Sequence, residues 1–65
     1  MKIVVNGEIL SAQSSDLAAL LVELDYQAPL VATAVNENFV RGKERAATPL
    51  REGDRVEILT PRQGG

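Results

Sequence analysis

Leu17, Leu20, Leu21 and Leu24 recur at i, i+3, i+4 and i+7, one apolar stripe along a predicted helix of about nine or ten residues, and nothing else limits the fold as strongly. A helix of barely more than two turns is marginal in water by itself. The same shortness disfavours a coiled-coil seam, which needs the pattern sustained over several heptads. The stripe therefore has to be buried within the chain, and with no second helix legible, a sheet has to bury it. Ser14-Ser15-Asp16 supplies the start: a serine is placed to cap the free amides, and Asp16 falls in the first turn, near the positive end of the helix dipole. Tyr26-Gln27-Ala28-Pro29 supplies the end, because proline removes a donor and turns the residue before it away from helix.

The sheet is read from the rest of the chain. Lys2-Ile3-Val4-Val5 and Glu8-Ile9-Leu10 flank Asn6-Gly7, the signature of a two-residue type I′ hairpin turn in which both central residues need positive φ. Such a turn sets the register, with Val5 opposite Glu8, Val4 opposite Ile9 and Ile3 opposite Leu10. Ile3, Val5 and Leu10 then share the core face, leaving Val4 and Ile9 on the other. After the helix, Leu30-Val31-Ala32-Thr33-Ala34-Val35 reads as a strand with small, mostly apolar residues on both faces, which predicts that it is substantially covered. Asn36-Glu37-Asn38 is a turn, and Phe39-Val40-Arg41 a short return strand that Gly42 stops.

Lys43 to Pro49 has no clean period and reads as an irregular surface segment with room for one helical turn, after which Leu50 plugs the core. Glu52-Gly53-Asp54 turns the chain into Arg55-Val56-Glu57-Ile58-Leu59, whose alternation puts Val56 and Ile58 inward. The order is two strands, a helix, two strands, a loop and a final strand. That predicts an α+β domain over residues 1–59, a mixed four- to five-stranded sheet with one helix packed across one face, and a flexible tail over residues 60–65.

Composition narrows the function. A 65-residue chain makes one domain, and a domain of this size buries only about 60% of the surface its unfolded chain exposes. With no cysteine and no histidine there is no disulfide and no conventional zinc site, so aliphatic packing has to hold the fold. The same lack removes the usual proton shuttle and the usual thiol nucleophile, and Ser11, Ser14 and Ser15 have no base near them in sequence, so the chain is not expected to be an enzyme. Net charge is −2, the seven Lys and Arg are scattered singly, and Tyr26 and Phe39 are the only aromatics, which argues against nucleic acid as a partner. No apolar run approaches a membrane span and no signal segment precedes the first strand, so a cytoplasmic protein with no membrane partner is expected.

The sequence ends Leu59-Thr60-Pro61-Arg62-Gln63-Gly64-Gly65, a strand cut by proline and followed by two residues without side chains. The functional expectation is that the free carboxylate of Gly65 is the working group, with Gly64, Gln63 and Arg62 as the thread that carries it into another protein's active site. From Thr60 such a thread reaches at most about 20 Å. Two glycines make it as thin as a polypeptide can be. The bland alternative is an inert terminus on a plain interaction domain.

The hairpin with its tight turn, the paired Leu20-Leu21, Ala34-Val35-Asn36 followed by Val40 and Arg41, Leu50, Gly53-Asp54, Val56-Glu57-Ile58 and the final Gly64-Gly65 together resemble the sulfur carrier proteins of thiamin biosynthesis, across nearly the whole chain. The resemblance implies a ubiquitin-like β-grasp fold. It also implies that the terminal glycine is adenylated by a ThiF-like activating enzyme using ATP and Mg²⁺, with no cofactor bound by the carrier itself. Sulfur from a donor such as a cysteine desulfurase then makes a thiocarboxylate, which a ThiG-like thiazole synthase consumes, the partners docking on the sheet face around the last strand. The stretch Lys43-Glu44-Arg45-Ala46 departs from the family, which often has a large aromatic residue there. Other β-grasp carriers, serving molybdopterin, cysteine or tRNA thiolation, share this terminal chemistry. So does a ubiquitin-like modifier conjugated through Gly65.

Overall fold

The computed structural model describes residues 1–61. Five strands, β1 (Lys2–Val5), β2 (Glu8–Ser11), β3 (Ala32–Val35), β4 (Asn38–Val40) and β5 (Arg55–Leu59), form one mixed sheet in the order β2-β1-β5-β3-β4. The two hairpins, β1–β2 and β3–β4, are antiparallel and lie on either side of β5, which runs parallel to β1 and antiparallel to β3. The last strand in sequence is therefore central in space. Helix α1 (Leu17–Glu23) packs on one face.

The first hairpin has the register that the Asn6-Gly7 turn requires, Ile3 opposite Leu10, Val4 opposite Ile9 and Val5 opposite Glu8, with φ of 51° and 86° at the two turn residues. Asn36 and Glu37 turn the second hairpin with φ of 50° and 72°, the same left-handed pair without a glycine, while Asn38 already belongs to β4. Leu17, Leu20 and Leu21 are fully buried against Ile3, Val5, Val56 and Ile58, so the leucine stripe does meet the sheet. Leu50 closes the core from the loop side, as its sequence position suggests.

Other expectations need correcting. Asp16, not a serine, is the helix N-cap: its Oδ1 accepts from Ala19 N–H at 2.8 Å, and Asp16 bridges to Pro49. Ser14 instead donates its hydroxyl to Glu23, whose carboxylate also accepts from the backbone of Gln13 and Ser14. The helix has seven residues, shorter than the leucine spacing suggests, because Asp25 takes a left-handed φ of 66° and Tyr26 N–H returns to the Leu21 carbonyl, closing the last turn in a Schellman arrangement. Finally, β3 is covered on one face alone: Thr33 and Val35 are buried while Ala32 is exposed and Ala34 half-buried, and the segment before it, Ala28–Leu30, is a 3₁₀ turn, not strand.

Turn asparagines complete the hydrogen bonding of β5 at both ends. Asn36 Oδ1 accepts from Arg55 N–H at 3.0 Å, where β5 begins. Near its other end, Ile58 N–H donates to Asn6 Oδ1 at 2.8 Å and Asn6 Nδ2 donates to the Ile58 carbonyl at 3.1 Å. No helix among the described residues is long and apolar enough to cross a membrane.

Candidate functional site

Because β5 is central, the chain leaves the sheet between the start of β3 and the segment that follows α1. Ala32 pairs with Leu59, the last residue of the ladder. Beyond it, Thr60 and Pro61 form one side of an apolar groove of about 270 Å³ whose other side is Tyr26, Leu30 and Val31, with Asp25 and Gln27 at its rim. Leu30 and Val31 also border a second depression beside Ala32 and Leu59. The exit of the chain is thus set into an apolar surface.

That surface continues onto the helix-free face of the sheet. Strand alternation puts Leu59, Ala32, Ala34 and Phe39 on this side, with Ala34 paired to both Phe39 and Glu57. Phe39 is 71% exposed and Leu59 66%, and between them the small Ala32 and Ala34 leave a shallow dish of about 80 Å³. Large apolar side chains flanking small ones on an open sheet face suit a partner's protruding side chains. Arg55, Glu37 and Glu57 supply charges towards the far end of the same face. The Arg55–Glu37 pair, 3.6 Å apart and well exposed, adds little to stability.

Arg45 holds the wall of the exit groove. It lies in the 3₁₀ helix Gly42–Ala47 and is 7% exposed, the one charged side chain among the described residues that is buried. Its Nε donates to Thr33 Oγ1 at 3.0 Å, Nη1 to the Ala28 carbonyl at 3.0 Å and Nη2 to the Val31 carbonyl at 2.7 Å. Thr33 Oγ1 donates in turn to the Val40 carbonyl at 2.8 Å. One planar fork therefore ties the loop before β3, β3 itself and the return strand β4 together. The stretch Lys43–Ala46, expected at the surface, sends this residue inward, a correction to the sequence expectation.

Of the expected site residues, Arg62, Gln63, Gly64 and Gly65 lie outside the described residues; Thr60 and Pro61 point the chain towards them from the groove. The carboxyl of Glu23 is held below the ordinary glutamate range, first by the Ser14 hydroxyl and then by the Gln13 amide, and this serves the loop before α1. Tyr26, Leu30, Phe39 and Leu59 complete the surface at the exit. Their signal in the sequence is weak: Phe39 and Leu59 occupy the outward positions of alternating strands, and large apolar residues there are the anomaly that marks a contact face.

Comparison with known proteins agrees with this geometry. The sequence model of the ThiS family matches residues 1–65. The sulfur carrier protein ThiS of Thermus thermophilus is 37% identical over 60 residues, which is 92% of this chain and 94% of that protein. The crystal structure of the thiamine biosynthesis protein ThiS from Geobacter metallireducens superposes with a TM-score of 0.85 at 29% identity, covering both chains completely. The solution structure of a thiamine biosynthesis protein from the same organism gives 0.81 at the same identity, over all of this chain and 88% of that one. A five-stranded β-grasp sheet whose central strand runs out through an apolar exit, matched from end to end by this family, leads to one conclusion: the chain belongs to the ThiS family.

Proposed function

We propose that this chain is a sulfur carrier protein of thiamin biosynthesis, loaded at the α-carboxylate of Gly65. The observation that carries this reading is the match to the ThiS family over residues 1–65, with the Thermus thermophilus relative a sulfur carrier protein. The composition fits the role, since without histidine or cysteine the chain depends on a partner for catalysis.

A carboxylate is a poor acyl donor until one oxygen becomes part of a good leaving group. In the proposed cycle a Gly65 oxygen attacks the α-phosphorus of ATP in a ThiF-like enzyme that holds Mg²⁺, and pyrophosphate departs. The terminal sulfur of a persulfide, supplied by a donor such as a cysteine desulfurase, attacks the acyl carbon and AMP leaves with the original oxygen. A thiol reductant then cleaves the resulting acyl disulfide, freeing the thiocarboxylate and leaving the donor thiol in a disulfide. The net change is one carboxylate oxygen replaced by sulfur, and the thiocarboxylate then passes its sulfur to a ThiG-like thiazole synthase. Arg62, Gln63 and Gly64 are the thread that enters each partner, while Leu59, Phe39 and the alanines between them are the docking face.

Appending one residue that is not trimmed after Gly65 tests the reading. Loading should be lost while thermal stability is unchanged. An extended chain that still acquires sulfur would mean that the terminal carboxylate is not the acceptor.

A further inference from the structure

β1 pairs with β5 through Val4 and Val5 only, opposite Arg55 and Val56, and then turns away through Asn6. The N–H and carbonyl of Ile58 point to the β1 side, the side on which the Val56 carbonyl accepts from Asn6 N–H at 2.9 Å. Past Val56, then, β5 has no strand backbone on that side, and both polar groups of Ile58 would open to water. The Asn6 side chain takes the place of the missing peptide group. Its Oδ1 accepts from Ile58 N–H at 2.8 Å and its Nδ2 donates to the Ile58 carbonyl at 3.1 Å, extending the parallel ladder one step beyond its strand. A primary amide can do this because it carries a donor and an acceptor side by side. The left-handed φ of 51° at Asn6 combines the turn and the clamp in one residue.

We propose that Asn6 is a positioning residue for sulfur loading: by clamping Ile58 it fixes where β5 leaves the sheet, and so where the chain towards Gly65 begins. The inference rests on the reading of Gly65 as the loaded group. With the clamp, β5 is bonded on both sides through Ile58 and on one side at Leu59, two residues before Pro61. Without it Ile58 loses its partners on the β1 side, the end of β5 is held by β3 alone, and the point from which the chain departs is less defined. Intramolecular delivery of a reacting group loses rate when its placement is less defined. Docking through Phe39 is untouched, so the loss should fall on turnover and not on affinity.

The second hairpin supplies an internal control. Asn36 occupies the same turn position with a φ of 50° and clamps Arg55 N–H with its side chain, but at the opposite end of β5. Asn6→Gly and Asn36→Gly each keep a residue that accepts the left-handed turn and each remove one amide clamp. Wild type and both variants would be compared in ATP–pyrophosphate exchange with a ThiF-like enzyme, ATP and Mg²⁺, at a temperature where circular dichroism shows all three folded. Hydrogen exchange at Ile58 would be read in parallel.

The expectation for Asn6→Gly is a fall in kcat of about three- to tenfold with KM nearly unchanged, and faster exchange at Ile58. Asn36→Gly should keep the wild-type kcat. If the wild-type protein supports no exchange, the sulfur-carrier reading itself fails. If the wild type is active but the two variants retain its kcat, or lose it equally, Asn6 has no positional role and the inference is overturned.

Discussion

Replacing Arg45 by methionine should remove a large share of the stability of this domain. The fork donates three hydrogen bonds, to Thr33 Oγ1 and to the carbonyls of Ala28 and Val31. A hydrogen bond to a charged group is worth about 1.5–3 kcal/mol net. Against that, methionine refills much of the volume and releases the desolvation penalty of a buried cation. Ala28 is exposed and Val31 half-buried, so their carbonyls can recover water, and Thr33 keeps its donation to Val40. The balance is a loss of about 2–4 kcal/mol, from a total of about 3–10 kcal/mol for a chain of this length. The melting temperature should fall by about 10–25 °C. Urea unfolding followed by circular dichroism measures it, with an unchanged slope if the denatured state is unaffected. Arg45→Lys keeps the charge without the fork and should fall between the two. A methionine variant within about 0.5 kcal/mol of wild type, the range of an ordinary surface substitution, would refute the reading of Arg45 as the tie between the three segments.

Two further perturbations follow from the same structure. Glu23 has its pKa lowered by folding, so its stabilising contribution is complete above the ordinary glutamate pKa and disappears as pH falls through the lowered value. Glu23→Gln should flatten that part of the acid limb of a stability-against-pH curve, and an unchanged limb would deny the carboxylate its role in the loop. Gly7→Ala should destabilise by about 1–2 kcal/mol through the backbone alone, because φ is 86° and an added Cβ meets nothing within 4 Å; a neutral result would mean that the turn can change its type without penalty.

How much could be read from the sequence depended on whether the deciding contacts were local. The first hairpin was legible to the residue because a two-residue turn leaves its register no freedom, and the inward alternation of Val56 and Ile58 follows from strand geometry. Burial of Leu17, Leu20 and Leu21 was legible for the same reason. Arg45 was not, since its acceptors lie 12 to 17 residues away and a charge in a polar run resembles every surface charge. The helix cap is not legible because Ser14, Ser15 and Asp16 are all competent, and the bridge from Asp16 to Pro49 favours one of them. The exposed face of β3 is not legible because small residues suit both a tight interior and an open dish beside Phe39. The central place of β5 and the clamp by Asn6 come from a pairing between the two ends of the chain, which no local pattern records.

Whether Gly65 accepts sulfur decides between a carrier and an inert terminus. Incubating the protein with a ThiF-like enzyme, ATP, Mg²⁺ and a sulfur donor, then weighing it intact and locating the change by fragmentation, measures this directly. A carrier gains mass equal to one oxygen replaced by sulfur, confined to the C-terminal residue. An unchanged mass, under conditions in which a control sulfur carrier protein is loaded, would contradict this.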